Sequence, residues 1–487
     1  MSHVKDLQLA GAGEKNVALA RMRMQPLLHV AADFKKRKPF KGLRIGMALH
    51  LTKETAVLVE TLQAGGARVA IASCNPLSTQ DDIAAYLAKS GVEVYGYKGE
   101  STEDYYKFIR AVIETKPHIT IDDGCDLVTE IHQHHPKLIK DIIGGCEETT
   151  TGVIRLKAME KDRALKYPVV AVNDNQTKHL FDNYYGTGQS TWDGILRATN
   201  ILIAGKTVVV AGYGDCSKGI ARRAEGMGAH VIVTEINPIR ALQALMDGFR
   251  VMEMSDAASL GDIFITATGN KHVIRTEHMK KMKDGAILAN SGHFNIEIDV
   301  AGLEKIADSK QNVRTSMDEY ILKTGTQKKR IYILGEGRLI NLAAAEGHPS
   351  EVMALSFCGQ ALACDWLVKQ RGTLKNQVYT LPASIDEAIA ARALTAYHIA
   401  IDTPTKEQLK YMSSWSEGTG IVAPHSPTSS PSVQNALPRI LAGRDSNGIC
   451  RLDSVKQFPP YVQGYIHWPF FQSDLLHLHR HLEVVLP

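Results

Sequence analysis

The chain has 487 residues, 44% hydrophobic and 22% charged, with 56 basic against 52 acidic side chains and a net charge of +4. These proportions are globular, so collagen-like and largely disordered classes are excluded, and the length allows about two to four domains. The near-balance of charge excludes the concentrated basic surface that a dedicated nucleic-acid binder needs.

The chain shows no apolar run of about 18 residues, so neither secretion nor membrane spanning is expected and a reducing cytoplasm is the expected location. The seven cysteines are scattered without a C-x-x-C pair. Neither a disulfide framework nor a metal is expected from them. The run Lys35-Lys36-Arg37-Lys38 reads as a solvated helix end before Pro39.

In chain order, short β-branched runs occur at 43–49, 68–72, 119–121, 169–172, 207–211, 231–234, 263–266, 286–289 and 331–334. Segments with helical spacing, such as 54–65 and 218–227, separate them. This alternation predicts an α/β fold with parallel, doubly wound sheets, and the strands are too many for one sheet. Two domains are expected. Residues 1–180 and 345–400 form one, and 181–344 form a Rossmann domain, with the boundary where the long segment 177–204 begins. A terminal segment follows at 401–420.

Polar residues cluster directly after the predicted strands, where open α/β sheets place ligands. His50, Thr52 and Glu54 follow the first, the run Asp122-Asp123-Gly124-Cys125-Asp126 follows the third, and Asn173-Asp174 follow the fourth. The runs 147–152 and 178–183 add acids, hydroxyls, a lysine and an amide. Each has an ordinary structural reading. Thr52, Thr149 or Asp126 suits a helix N-cap, a single His50 suits a core or surface position, and Lys178 with Asp182 suits a surface helix pair.

Residues 207–235, TVVVAGYGDCSKGIARRAEGMGAHVIVTE, read as strand, glycine turn, helix, strand and acid. Gly212 permits the turn, Gly214 lets backbone approach a pyrophosphate, and the helix N-terminus favours the anion. Glu235 is placed to accept from a ribose 2′-hydroxyl, which selects NAD over NADP. Ser217 occupies the third glycine position, with Gly219 two residues later.

The runs HLTKETA, IDDGCDL, EETTTG, TKHLFDN, AGYGDCSKG, SGHF and EGRLINLAAAEGHPSEVM, in this order, resemble the S-adenosyl-L-homocysteine hydrolase family over residues 24–419. The chain is similar to its shorter archaeal and bacterial forms. The resemblance implies cleavage of S-adenosylhomocysteine to adenosine and homocysteine, with tightly held NAD as an internal redox catalyst. Oxidation of the ribose 3′-hydroxyl makes the C4′ proton acidic, homocysteine leaves from C5′, water adds, and the ketone is reduced again.

Carried onto this sequence, Lys178 takes the 3′-hydroxyl proton, with Asp182 and Glu148 on the ribose hydroxyls. Asp126 serves C4′, and His50 and His293 serve the leaving thiolate and the attacking water. Thr52 and Glu54 face adenine, which favours adenosine over inosine, and His348 closes over the base. The cofactor side comprises Thr149, Thr150, Thr151, Asn183, Gly212, Gly214, Asp215, Cys216, Ser217, Lys218, Gly219, Glu235, Arg240, Ser291, Gly292, His293, Asn341 and His348. A homotetramer is also implied, with no nucleic-acid or membrane partner. Many members end in a tail whose Lys and Tyr reach a neighbouring subunit's NAD site. No such ending follows Gly418, so looser NAD binding is expected.

From residue 421 the resemblance stops. The last 67 residues hold 8 of the 18 prolines, and a disordered extension is expected there. Two other readings share the nucleotide motif. An ordinary NAD-dependent dehydrogenase needs Glu235 and the glycine turn without Asp126, Lys178 and His50 together, and a binding protein of the same fold would have lost the chemistry.

Overall fold

The β-branched runs form strands because they are buried on both faces, each placing alternate side chains into a different core. In the computed structural model, which describes residues 2–324, 327–415 and 418, the first strands in chain order are β1 (Arg44–Ala48), β2 (Arg68–Ala72), β3 (Glu93–Tyr95), β4 (Ile119–Asp122), β5 (Gly144–Glu147) and β6 (Val169–Ala171). They are followed by β7 (Thr207–Ala211), β8 (His230–Thr234), β9 (Arg250–Val251), β10 (Ile263–Thr266), β11 (Ala286–Asn290), β12 (Ala307–Arg314), β13 (Met317–Thr324), β14 (Gln327–Leu334) and β15 (Val378–Tyr379). Val208 and Val210 of β7 enter one apolar cluster and Val209 enters the other. That alternation is the period of two that a doubly covered strand requires.

Two sheets result. The first has the order β15-β6-β5-β4-β1-β2-β3 and is parallel throughout; the second has the order β12-β13-β14-β11-β10-β7-β8-β9. In the second, β14, β11, β10, β7, β8 and β9 are parallel, and β13 and β12 add an antiparallel edge. Each sheet reverses direction of winding once, between β1 and β4 and between β7 and β10. The crevice beyond the strand ends at such a reversal is where a doubly wound sheet binds ligand.

The chain returns to the first sheet after β14. Helix Ser350–Lys369 packs Ala354, Leu355, Phe357 and Leu367 into the first core, and β15 pairs with β6. This helix is long and apolar enough to cross a membrane by composition, which the absence of an uninterrupted apolar run did not anticipate. It is instead 67% buried in protein. Helix Gln25–Arg37 ends at Lys38, whose φ of 50° closes it, and Arg37 is paired with Asp33 and Asp365, so the basic run is a helix end.

The long segment 177–204 divides into Gln176–Lys178, a π-helical turn His179–Gly186, and helix Thr187–Thr199. Strands β3, β5, β9, β12, β13 and β15 were not anticipated, being short, glycine-rich or polar. From Thr403 the chain forms a separate unit, whose described part holds helix Lys406–Met412 with a Thr405–Gln408 capping box. The 421–487 extension lies outside the described residues.

Candidate active site

Both winding reversals open onto one cavity of about 1320 Å³. Single small-ligand sites are about 300–1,000 Å³, so this volume suits a dinucleotide beside a second ligand. The first sheet contributes His50, Thr52 and Glu54 from the end of β1, Asp123 from β4, Glu148 to Thr151 from β5, and Asn173 from β6. The second contributes residues 212–216, Glu235 and Arg240, and residues 291–293.

The π-helical turn carries the most densely bonded part. Lys178 Nζ lies 2.8 Å from Asp182 Oδ2 and 3.6 Å from Glu148 Oε1, and it donates to Asn183 Oδ1 at 2.8 Å and Asn173 Oδ1 at 3.3 Å. The Lys178 and Asp182 side chains are only 5% and 3% exposed, so they are not a surface pair. Burial opposes the Lys178 charge, but Asp182 and Glu148 outweigh it and hold the ammonium above its usual range. Burial also penalises the Asp182 charge, yet His348 and Lys178 hold that carboxyl below the usual range. Burial pushes Glu148 up to about 7 against the pull of Lys178, and Ser356 and Gln360 both donate to it. A π-helical turn is a frequent device at functional sites because its extra residue per turn re-aims side chains.

A second group lies across the cavity. His50 Nε2 is 3.4 Å and His293 Nδ1 is 3.5 Å from the two oxygens of Asp123. Burial lowers His50 to about 4 despite Asp123, leaving it neutral at pH 7. Gly124, at φ 105°, makes this assembly possible, since a Cβ there would sit 2.2 Å from His293 Nε2. The loop bearing His293 is tied by Asn290, whose amide donates to the carbonyls of Gly292, Phe294 and Gly337.

Asp126 falls elsewhere. It accepts from Arg155 Nη1 at 2.7 Å and from Tyr105 at 3.0 Å and does not line the cavity. Cys125, at φ 67°, turns the chain between the two acids, so Asp123 faces the site and Asp126 starts the next helix. The structure therefore does not bring Asp126 to the site in which it was expected to act; of the two acids, Asp123 is the one that lines the cavity.

Thr52 caps helix Lys53–Ala64 and also lines the cavity; beside it Glu54 Oε1 accepts from Ser350 at 2.7 Å. Thr149 stands at a helix N-cap without a side-chain bond to it, and its hydroxyl is left for the cavity with Thr150 and Thr151. His348 bonds Asp182 through Nδ1, and through Nε2 it meets Asn341 at 3.2 Å and Thr187 at 3.3 Å.

The dinucleotide motif passes a structural test. Gly212 takes φ 92° at the turn, and a Cβ on Gly214 would meet nothing closer than Arg240 Nη1 at 3.6 Å, so the backbone there is open to a pyrophosphate. Glu235 gathers the amides of Tyr213, Ile236 and Asn237 at the end of β8. The buried Asn341 Oδ1 has no protein partner, an unmet acceptor that an amide donor of the cofactor could satisfy. Asp215 pairs with His179 at 3.0 Å, Cys216 accepts from Thr187, and Ser291 pairs with Thr191 at 2.6 Å.

Ser217, Lys218 and Gly219 do not line the cavity. Ser217 is buried and donates to the carbonyl of Ala267 at 3.1 Å, which is how a hydroxyl is tolerated at the third glycine position. Lys218 lies over the Tyr213 ring, and Gly219 packs against Tyr184. Their part is in seating the helix. His179, Thr187, Met353 and Phe357 line the cavity without having been singled out, and Asn173 joins them from its position after a strand. For the supporting Ser356 and Gln360 the signal was two polar residues four apart in an apolar helix.

The comparisons agree with this geometry. The model described as S-adenosyl-L-homocysteine hydrolase matches residues 1–135, and its NAD binding domain matches residues 183–347. A protein of Methanocaldococcus jannaschii named S-inosyl-L-homocysteine hydrolase is 58% identical over 86% of this chain and 100% of its own length. Proteins named adenosylhomocysteinase from Sulfolobus acidocaldarius and Aquifex aeolicus are each 57% identical over 85% of this chain and 99% of their own. Identity at this level over two matched domains, with the NAD crevice formed by the expected turn, shows that the chain belongs to the S-adenosyl-L-homocysteine hydrolase family.

Proposed function

We propose that the chain reversibly hydrolyses S-adenosyl-L-homocysteine to adenosine and L-homocysteine. The observation that carries this reading is the pairing, in one cavity, of a buried Lys178–Asp182–Glu148 cluster with a separate His50–Asp123–His293 cluster. Bound NAD supplies the oxidising equivalent at the ribose 3′ carbon and recovers it at the end of the cycle.

Asp182 and Glu148 accept from the ribose hydroxyls. Each bond to substrate draws a carboxylate lone pair away from Lys178, so its proton affinity falls and the ammonium gives up one proton to solvent; the neutral amine then accepts the 3′-hydroxyl proton. Asp123 removes the C4′ proton. His50, neutral and buried, and His293 exchange protons with the thiolate and the water at C5′. The closed, buried setting keeps bulk water from the activated intermediate.

A second reading concerns the base. Glu54 has one oxygen engaged by Ser350, and Lys53 Nζ lies 3.5 Å from that same oxygen. The free oxygen accepts an N–H from adenine, and Lys53 is paired with Glu346 at 2.9 Å and does not line the cavity, so the inosyl reading rests on the name of the Methanocaldococcus relative. Thiol release from the adenosyl and inosyl thioethers, measured in parallel on NAD-loaded protein, decides between them. We expect kcat/KM for the adenosyl compound to be higher by about 10²-fold or more. The reverse ratio would establish the inosyl reading, and no thiol from either would overturn both.

We further propose a cytoplasmic homotetramer serving the methyl cycle, without nucleic-acid or membrane partners. Helix Pro238–Met246 supports the assembly, exposing Ile239, Leu242, Leu245 and Met246 on its surface.

A further inference from the structure

We propose that His50, Cys74 and Asp123 form a site for one thiophilic divalent cation of the zinc class. Cys74 Sγ lies 3.1 Å from His50 Nδ1 and 3.8 Å from Asp123 Oδ2, and His50 Nε2 lies 3.4 Å from Asp123 Oδ2. One donor atom from each residue falls within 4.8 Å of the other two. Only one imidazole nitrogen serves as a donor, and with one donor per residue the set lies within 4.8 Å, against the roughly 3.3–3.7 Å that tetrahedral zinc with bonds of about 2.0–2.3 Å requires, so side-chain rotation must draw the three donors together.

The chemistry of the donors is matched to such an ion. Thiolate and imidazole select zinc-like metals, whereas magnesium and calcium prefer oxygen. Ser78 Oγ sits 2.7 Å from His50 Nδ1, the kind of outer contact that orients a metal-binding imidazole and leaves Nε2 toward Asp123. The fourth position faces the cavity and is open to water or to His293, whose Nδ1 is 3.5 Å from the other Asp123 oxygen. Among the described residues this is the one such trio. Cys146, by contrast, faces only Cys364, at 3.8 Å.

On binding, the Cys74 thiol loses its proton to solvent as the sulfur–metal bond forms, and no electrons are transferred. His50 and Asp123 also belong to the acid–base set proposed above. If that reading holds, metal occupancy and turnover exclude each other.

The test uses the full-length, NAD-loaded protein titrated with Co²⁺ as a spectroscopic stand-in for Zn²⁺. We expect one cobalt per chain with a thiolate-to-cobalt charge-transfer band, displaced by Zn²⁺. Cys74→Ser should lose the band and bind at least tenfold more weakly, while Cys146→Ser keeps both. X-ray absorption of the zinc-loaded wild type should show one sulfur at about 2.3 Å, a result that does not depend on any variant folding. A sulfur-free first shell, or a band that survives in Cys74→Ser, overturns the proposal. These readouts are independent of thioether hydrolysis, so failure of either reading is recognised separately.

Discussion

Asp123 and Asp126 lie three residues apart on one loop and do different work. Asp123 stands between two histidines in the cavity, and Asp126 holds Arg155 and Tyr105 outside it. Asp123→Asn should lower kcat by about 10²-fold or more, the usual scale for a missing acid–base group, with little change in melting temperature. Asp126→Asn should leave kcat within a few fold and cost about 1–3 kcal/mol of stability, read by denaturant unfolding. The opposite pattern would return the C4′ role to Asp126. Spacing alone could not separate the two acids, because the difference is one backbone turn at Cys125. Glu148 carries a pH prediction at the same scale. Its free-site value near 7 means that below pH 7 it is protonated and cannot accept from a ribose hydroxyl through a charged oxygen. kcat/KM, which reports the free enzyme, should therefore rise through about pH 7 and level above it. In Glu148→Gln that limb should vanish and the profile should stay low; a limb persisting there would assign it to another group.

At the scale of elements, the helix that opens the cofactor turn is held by contact with its neighbours. A Cβ on Gly219 would lie 1.9 Å from the Tyr184 carbonyl oxygen, and Gly188 packs against Gly219 from the following helix. Gly219→Ala must push helix Asp215–Gly226 outward and carry residues 212–216 with it. We expect about 1–3 kcal/mol of destabilisation and at least a tenfold loss of retained NAD, measured by nucleotide release from purified protein. Unchanged NAD content would show that the turn is seated independently of that contact. Legibility at this scale followed burial. Strands such as β7 and β10 are β-branched or apolar on both faces and could be read directly. β5 is Gly144-Gly145-Cys146-Glu147, and its glycines are required because a Cβ on Gly144 would meet Leu367 at 2.7 Å. Such a strand has no propensity signal. β12 is exposed and polar, and it forms only because β13 offers an edge. The π-helical turn was invisible because residues 178 and 182 share a face under ordinary helical spacing as well, and only the approach of Asn183, five residues on, needs the wider turn.

For the whole molecule, the repetition of one winding order in both sheets brings two ligand crevices together. The repeated strand–helix alternation made the two doubly wound sheets legible, and the strand-end clusters pointed at their crevices. Their convergence on one cavity was not, since it depends on how β1 and β4 face β7 and β10, which local patterning does not encode. Among the described residues, those lining that cavity run from Leu49 to Phe357. The relatives match over nearly their whole lengths using about 86% of this chain, so they reach the same chemistry without a counterpart of the last 67 residues. That stretch adds proline and histidine to the sequence. A chain ending at residue 420 should therefore retain one NAD per subunit, release thiol at a rate within about twofold, and melt within about 2 °C of the full chain. The comparison is made on protein purified without added cofactor, so that a weakened site shows as lost nucleotide. Truncated protein that emerges free of NAD, or that melts several degrees lower, would assign the extension a part in holding the cofactor.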